Sequence, residues 1–275
     1  MLPAWNDPVA CAVHYPPANE RTGGCHMGFS LRSFALRTVM LGFAVAVAAP
    51  VAELNAASLL SPGTATLIRK STEPFGLATS LLADGGLHDK WLGVQRQLAD
   101  ELAQLAACES DRAGCASPEA LRFLAIVDAG RARTGRARLG EINRAINLAI
   151  HPGSDLAAYG EPDVWATPLA TFARGSGDCE DYAIAKFVAL AKAGVAPEDL
   201  RIVVMHDLLG GDDHAVVAAR LDGHWLTLDN RRMAMIEDTD VRSFQPTFVI
   251  DQDGVSRYAD APLVAEAAWR PAAVN

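Results

Sequence analysis

One cysteine stands where a glycine-rich turn is predicted to become a helix. Residues 175–183 read Gly-Ser-Gly-Asp-Cys-Glu-Asp-Tyr-Ala, so Cys179 has a carboxylate on either side. A thiol at a helix N-terminus lies in the partial positive charge of the helix dipole, which favours the thiolate, the reactive form of cysteine. A lone cysteine at a helix start can also be purely structural, but this position favours a nucleophile for acyl transfer.

A predicted hairpin supplies a base and the group that orients it. The turn Asp222-Gly223 is a strong hairpin signal, and its pairing makes His214 and Asp229 diagonal neighbours on one sheet face. Their backbones would be roughly 7–8 Å apart, within reach of a side-chain contact. His214 would take the thiol proton from Cys179 and Asp229 would orient the imidazole, which gives a Cys–His–Asp triad. Taken singly, the histidine could be a solvated turn residue and the aspartate the end of a strand.

The two faces of this hairpin are predicted to differ in polarity. One face is predicted to pack on a core through Val217, Ala219, Leu221, Leu226 and Leu228. The other face, which carries the histidine and the aspartate, is predicted to be polar. Two further histidines compete for the role of base, but His224 lies at the turn and His206 lies at the end of a different strand. His214 is therefore the preferred candidate.

The chain is predicted to place helices before a sheet. Apolar residues at helical spacing, with caps and breakers, predict helices over about residues 88–107, 118–130, 139–150 and 180–193. Strands are predicted over about residues 201–206, 215–221, 224–230 and 247–250. A long loop is predicted over residues 151–177. This order, with a nucleophile helix followed by an antiparallel sheet, is typical of an α+β fold.

The N-terminal region is predicted to be a targeting segment. Arg32 and Arg37 precede an apolar run over residues 38–49, and small residues follow it, which is the pattern of a secretory signal peptide. An uncleaved anchor is the alternative, although a membrane span needs roughly 20 apolar residues. Residues 1–57 are interpreted as a spurious upstream extension plus this signal, because Met27 can itself start a conventional signal peptide. A periplasmic or secreted protein follows, with membrane contact only through the signal segment.

The remaining chain is interpreted as one domain with short extensions. Residues 58–87 are predicted to be a linker or loose arm, residues 88–265 the folded domain and residues 266–275 a tail. The formal net charge is −9, and no basic stripe is present in the sequence. These features argue against nucleic acid as a partner.

Removal of a signal peptide changes the cysteine count. Cys11 and Cys25 would be lost, which leaves Cys108, Cys115 and Cys179. The first two of these flank a short polar loop, and in an oxidising compartment such a pair predicts a local disulfide. Two reduced thiols in a cytosolic protein are the alternative. Cys179 is then the odd cysteine, and no metal-type cysteine or histidine spacing surrounds it.

The carboxylates around the cysteine allow two interpretations. Asp178 can cap the helix, and acidic residues in a first helical turn favour the helix dipole. Three carboxylates, those of Asp178, Glu180 and Asp181, would nevertheless oppose a thiolate. A cation such as Ca²⁺ would neutralise them. Both interpretations stay open on the residues alone.

Several stretches resemble the bacterial transglutaminase-like cysteine peptidases, a family that includes the LapG-type periplasmic proteases. The resemblance covers about residues 88–255. Its motifs lie at residues 143–147 (Asn-Arg-Ala-Ile-Asn), 163–168 (Asp-Val-Trp-Ala-Thr-Pro), 177–186 (Gly-Asp-Cys-Glu-Asp-Tyr-Ala-Ile-Ala-Lys), 213–216 (Asp-His-Ala-Val) and 225–230 (Trp-Leu-Thr-Leu-Asp-Asn). It implies a papain-like, transglutaminase-type α+β fold with Cys179, His214 and Asp229 as the triad.

The resemblance also implies a metal and partners. LapG-type members depend on calcium, and acidic ligands beside the nucleophile match Asp178 and Glu180. The family implies a protein substrate, a large surface adhesin in the type members, and control by a cyclic-di-GMP-responsive inner-membrane receptor. The loop between Cys108 and Cys115 is not a feature of the type members, which suggests a divergent subgroup with its own substrate.

The predicted function is therefore an exported cysteine endopeptidase that works through a thioester. A transglutaminase or amidase acting on cell-wall peptides would use the same triad, because the sequence does not distinguish water from an amine as acceptor. A non-catalytic binding module on the same fold is the third possibility. It would have no need of Cys179, His214 and Asp229 together.

Overall fold

The structure is a computed structural model and describes residues 71–259. The predicted signal segment, residues 58–70 of the predicted linker and the predicted tail lie outside these residues. Within residues 71–259, no helix combines the length and the apolar character needed to cross a bilayer.

Helices make up the first half of the described chain. They are α1 (Gly86–Ser110), α2 (Pro118–Arg131), α3 (Gly135–Ala149), α4 (Asp155–Tyr159), α5 (Pro168–Arg174) and α6 (Cys179–Lys192). The start of α2 follows the predicted capping chemistry: Pro118 is the first residue, and the Ser117 hydroxyl accepts a 3.1 Å hydrogen bond from the Ala120 N–H. The four predicted helices are thus present, with ends displaced by a few residues.

An antiparallel sheet follows the helices, apart from its first strand, which precedes α1. Its strands are β1 (Thr79–Leu81), β4 (Leu200–Asp207), β5 (Asp213–Leu221), β6 (His224–Leu228), β7 (Ile236–Glu237), β8 (Phe244–Ile250) and β9 (Val255–Tyr258). The order across the sheet is β1-β9-β8-β4-β5-β6-β7, and each neighbouring pair is antiparallel. A small parallel pair, β2 (His151–Pro152) and β3 (Ser176–Gly177), lies apart from it. Helices and an antiparallel sheet make the α+β class that the sequence predicts.

The predicted hairpin register is confirmed. Leu221 pairs with His224, and the same register continues to Val217 opposite Leu228. Asp222 and Gly223 both have positive φ, at 52° and 83°, as a type I′ turn requires. Because side chains alternate along a strand, this register fixes which face each residue of β5 and β6 occupies.

Both faces of the sheet are buried, which corrects the expectation of one polar face. The helices cover the face that carries Val217, Ala219 and Leu228, within the larger apolar core. The other face is also apolar, and Phe75 and Leu77 pack against it. Its buried members are Val203, Met205, Val216, Ala218, Trp225, Val249 and Tyr258. The central strands are therefore apolar on both sides, and His214 is itself 1% exposed.

Two regions differ from the sequence prediction. Residues 79–81 fall in the predicted linker, yet they form the edge strand β1 by pairing with β9. The predicted loop over residues 151–177 contains α4 and α5, each closed by a left-handed glycine at Gly160 or Gly175. Helices this short show no full amphipathic period, so the pattern of apolar residues does not reveal them.

Cys108 and Cys115 are joined by a disulfide across the turn after α1. Their sequence separation is 7, so the bond closes a short loop between α1 and α2. Cys108 is buried in the helical core, and Cys115 packs against that core. The bond therefore ties two core helices together at one end.

We expect the double variant Cys108→Ala/Cys115→Ala to lose about 2 kcal/mol of unfolding free energy, because the closed loop limits the entropy of the unfolded chain. Urea unfolding without reductant, followed by circular dichroism, measures the loss. Cys115→Ala alone breaks the same bond and should lose a similar amount. Stabilities equal to that of the original chain would contradict this role of the disulfide.

Candidate active site

Cys179 is the first residue of α6. The preceding residue, Asp178, takes the extended N-cap conformation, but its side chain makes no capping hydrogen bond. The Cys179 side chain is buried, and its Sγ lies 3.0 Å from Oε2 of Glu180.

The sulfur of Cys179 is disulfide-bonded in this structure. A thiolate is the nucleophilic form of cysteine. Any chemistry at this position therefore belongs to the reduced form.

His214 and Asp229 are in direct contact. Nε2 of His214 lies 2.9 Å from Oδ1 of Asp229, and the same oxygen accepts a 2.9 Å hydrogen bond from the Arg231 N–H. Burial opposes ionisation of Asp229, but the hydrogen bond and charge of His214 outweigh it and lower the pKa of Asp229 to about 2. Because the carboxylate is ionised, Nε2 must carry the proton of the neutral imidazole. The other ring nitrogen, Nδ1, is buried and has no hydrogen-bond partner.

The two competing histidines are engaged elsewhere. His206 lies at the end of β4 and pairs through Nδ1 with Asp213 at 3.1 Å. His224 begins β6 at the hairpin turn, 3.5 Å from Glu237, and most of its side chain is exposed. Neither is paired with Asp229, the aspartate that His214 contacts.

The structure thus brings two of the three predicted catalytic residues together. The third is on the adjacent element, because α6 packs against β5, the strand that carries His214. The sulfur of Cys179 is within hydrogen-bond distance of Glu180. Nδ1 of His214 is the imidazole atom left to receive a thiol proton.

The backbone around Asp229 is held from two helices. On α3, Nδ2 of Asn147 donates to the Asp229 carbonyl at 3.0 Å, and Nδ2 of Asn143 donates to the Met233 carbonyl at 3.1 Å. On α6, Nζ of Lys186 donates to the Leu228 carbonyl at 3.2 Å. These contacts explain why polar side chains occur on these helix faces, since each satisfies a backbone acceptor at the end of β6 or in the connection that follows it.

A cluster of carboxylates lies beside Cys179. One oxygen from each of Asp155, Asp178 and Asp181 lies within 4.8 Å of the others, a grouping that could hold a metal ion. Asp181 accepts a 2.8 Å hydrogen bond from the Ala166 N–H, and Asp155 accepts one from the Val164 N–H. Oδ1 of Asp178, in contrast, is buried with no hydrogen-bond partner. An unpartnered buried carboxylate oxygen fits a cation ligand.

Crowding of like charges and burial raise the pKa values in this cluster. Burial, and then the charge of Asp178, raise the pKa of Asp155 to about 7 and that of Asp181 to about 8. The same two causes raise the pKa of Glu180 well above its ordinary value, and burial raises that of Asp178. Without a cation the folded protein therefore keeps protons on carboxyls that would be ionised in water.

The geometry redistributes the predicted metal ligands. Asp178 remains a central member, whereas Glu180 is turned toward the sulfur of Cys179 and lies outside the grouping of Asp155, Asp178 and Asp181. Asp155 had no role in the sequence prediction, because it comes from α4 in the predicted loop and local spacing does not relate it to Cys179. Its position depends on how residues 151–177 fold.

The sequence prediction gave no role to Lys186, although its position on α6 is unusual for a charged residue. It lies seven residues after Cys179, hence on the same face of α6, among Ala185, Phe187 and Val188. A charged residue at a buried position of an otherwise apolar helix indicates a specific partner. Its partners, however, are on β6 and could not be named from helical spacing.

The chain is similar to a known family of proteins. The sequence model of one protein family, the bacterial transglutaminase-like cysteine proteinases, matches residues 101–248, which is more than half of the chain. The chain belongs to this family, and the protein is a transglutaminase-like cysteine peptidase. None of the curated proteins compared with the chain matches it.

Solved structures give more distant similarities. LapG of Legionella pneumophila is 22% identical, covers 55% of this chain and 83% of its own, and has a TM-score of 0.46. The calcium-bound structure of the same protein is 21% identical, covers 55% of this chain and 87% of its own, and also has a TM-score of 0.46. A protein described as a TGase is 13% identical, covers 47% of this chain and 37% of its own, and has a TM-score of 0.33.

In the presence of a chelator we expect the unfolding free energy to fall as pH rises from 5 to 6.5. The folded state retains protons on Asp155 and Asp181 that the unfolded state releases, so stability falls by up to about 1.4 kcal/mol per pH unit for each proton. The lowered pKa of Asp229 acts only below about pH 4, and that of Lys186, about 7, acts above this window.

Urea unfolding across this pH range measures the slope. Asp155→Asn should flatten it, whereas Asp128→Asn, which removes an exposed carboxylate on α2, should leave it unchanged. A stability that is constant or that rises with pH would contradict the raised pKa values.

Proposed function

We propose that this protein is an exported cysteine endopeptidase that hydrolyses a peptide bond of a surface or periplasmic protein through Cys179, His214 and Asp229. The observation that carries the proposal is the orientation of His214. Its Nε2 is committed to an ionised Asp229, which leaves Nδ1 as the proton acceptor beside the helix that begins with Cys179. Membership of the family supports the class of reaction.

The proposed reaction begins with reduced Cys179. Nδ1 of His214 takes the thiol proton while the sulfur attacks the carbonyl carbon of the scissile peptide bond. The carbon–nitrogen bond then breaks, and the leaving amine takes that proton from Nδ1. A thioester between the substrate acyl group and Cys179 remains. Asp229 stabilises the imidazolium during this half of the reaction and keeps the ring in the productive tautomer.

The second half of the reaction regenerates the enzyme. Water attacks the thioester carbonyl and gives a proton to Nδ1 of His214, and the carbon–sulfur bond then breaks. The sulfur regains the proton, and the carboxylic acid product leaves. The backbone N–H of Cys179, in the first turn of α6, can donate to the oxyanion in both halves.

We propose calcium as the cation of the carboxylate cluster. Asp155, Asp178 and Asp181 would hold the ion, with Glu180 adjacent. Carboxylate oxygens are the ligands that Ca²⁺ prefers, and the unpartnered Oδ1 of Asp178 is consistent with a missing ligand contact. The ion would neutralise charges that otherwise oppose a thiolate at Cys179. It would thereby also order the segment over residues 154–166 against the start of α6.

The proposed location and partners rest on the sequence. The signal segment supports a periplasmic or secreted site, where the disulfide of Cys108 and Cys115 would be stable. The proposed substrate is a protein, and a large surface adhesin is the first to test. An inner-membrane receptor is the proposed regulator.

Incubation of the reduced protein with a peptide library from a proteome digest, and with adhesin fragments and cell-wall peptides, tests the activity. Mass spectrometry identifies new termini. Cys179→Ala and His214→Ala should each lower cleavage by at least about 10³-fold, because each removes a group that makes or transfers a covalent bond. His206→Ala, which removes a histidine paired with a different aspartate, should cleave as the original chain does.

Two outcomes would contradict the proposal. Cleavage that survives Cys179→Ala would exclude the thioester mechanism. Products that carry an added primary amine in preference to water would instead indicate a transglutaminase.

Calcium binding is tested separately by thermal unfolding. Ca²⁺ should raise the melting temperature of the chelator-treated protein, and more at pH 7.5 than at pH 5, because protons and cation compete for the same carboxylates. Asp155→Asn and Asp178→Asn should each weaken the apparent affinity at least about tenfold, equivalent to roughly 1.4 kcal/mol. The matched variant Asp128→Asn should have no effect. Full activity and an unchanged melting temperature in strong chelator would contradict the calcium proposal.

A further inference from the structure

We propose that Lys186 is a positioning residue for Asp229, holding the end of strand β6 from helix α6 so that the Asp229 carboxylate meets the His214 imidazole. This inference rests on the proposed function for its catalytic consequence only. The structural part, that Lys186 maintains the contact between His214 and Asp229, stands on geometry.

Lys186 is placed to act on Asp229 through the backbone. Its side chain is 0% exposed, and Nζ donates to the carbonyl of Leu228, the residue immediately before Asp229. The ammonium group also lies 5.8 Å from the ring centre of Tyr182. The negative charge of the Asp229 carboxylate favours the charged form of Lys186 and so acts to raise its pKa.

Burial of the Lys186 ammonium group costs folding free energy, so its presence in the core requires an explanation. Burial lowers the pKa of Lys186 to about 7, although the charge of Asp229 acts to raise it. The neighbouring positions on α6 are filled by apolar residues that pack into the core, such as Ile184 and Val188. A long apolar side chain at position 186 would avoid the cost, and the replacement of a buried charge by a hydrophobe is often neutral or stabilising. Stability alone thus does not explain a lysine here.

Lys186 contributes something that the asparagines of α3 do not. Asn147 holds the Asp229 carbonyl by a neutral hydrogen bond from the side of α3. Lys186 holds the preceding carbonyl from the side of α6, and it also brings a positive charge toward the Asp229 carboxylate. It therefore links the helix that begins with Cys179 to the strand that ends beside Asp229.

The variant Lys186→Met tests this role, since methionine retains the length of the side chain and removes Nζ. We expect a melting temperature no lower than that of the original chain. We also expect loss of the downfield proton resonance of His214 Nε2–H, observed in protein with ¹⁵N-labelled histidine and assigned by its absence in His214→Ala. On a peptide that the original chain cleaves, kcat should fall at least about tenfold with KM unchanged.

Lys192→Met is the matched control. It makes the same substitution at the end of the same helix, where the lysine pairs with Glu109. It should change neither the resonance nor kcat. A folded Lys186→Met protein with an unchanged His214 resonance would overturn the inference, and so would loss of its cooperative unfolding transition, because Lys186 would then be a structural requirement.

The resonance separates this inference from the proposed function. If the original chain cleaves no peptide but Lys186→Met still loses the His214 signal, the proposed function fails and the positioning role stands. If the original chain is active and Lys186→Met retains both the signal and kcat, the positioning role fails and the proposed function stands.

Discussion

The candidate site depends on the packing of helix α6 against strand β5. Ten of the 14 residues of α6 are buried, since it lies between the sheet and the other helices. Cys179 is the first residue of α6, and His214 is on β5. The burial of α6 also requires its polar groups to find partners inside the protein, because an unpartnered buried charge costs several kcal/mol. Asp181 accepts a hydrogen bond from the Ala166 N–H, and Lys186 donates one to the Leu228 carbonyl.

Helix α6 buries groups of opposite charge, with carboxylates near its start and a lysine further along. Near the start of α6, Asp155, Asp178 and Asp181 crowd together and their pKa values rise, so the cluster takes up protons or a cation. Lys186 lies more than one helical turn further along α6, and burial lowers its pKa. His214 on β5 contacts Asp229, and the Asp229 carboxylate remains ionised because the imidazole donates to it. The protonation state of each of these groups therefore depends on its burial and its charged neighbours as well as on its own chemistry.

Much of the framework could be predicted because its signals are local. The capped start of α2 at Ser117, the turn at Asp222-Gly223 and the apolar spacing of α1 each depend on residues that are close in sequence. The hairpin register then brought His214 toward Asp229 without knowledge of the rest of the sheet. Strand β1, helices α4 and α5, and the apolar cover over the second sheet face could not be predicted in this way. They are short or acquire their structure by pairing with distant segments.

The sequence by itself determined the family, the α+β class, the candidate nucleophile and the histidine–aspartate pair, since motif order and a two-residue turn are enough to specify them. Only the tertiary structure decided which carboxylates share a site and why Lys186 is buried. Asp155 reaches Asp178 across 23 residues of chain, and Lys186 reaches Leu228 across 42. Contacts at such separations depend on how whole elements pack, and side-chain spacing along a single helix or strand contains no record of that packing.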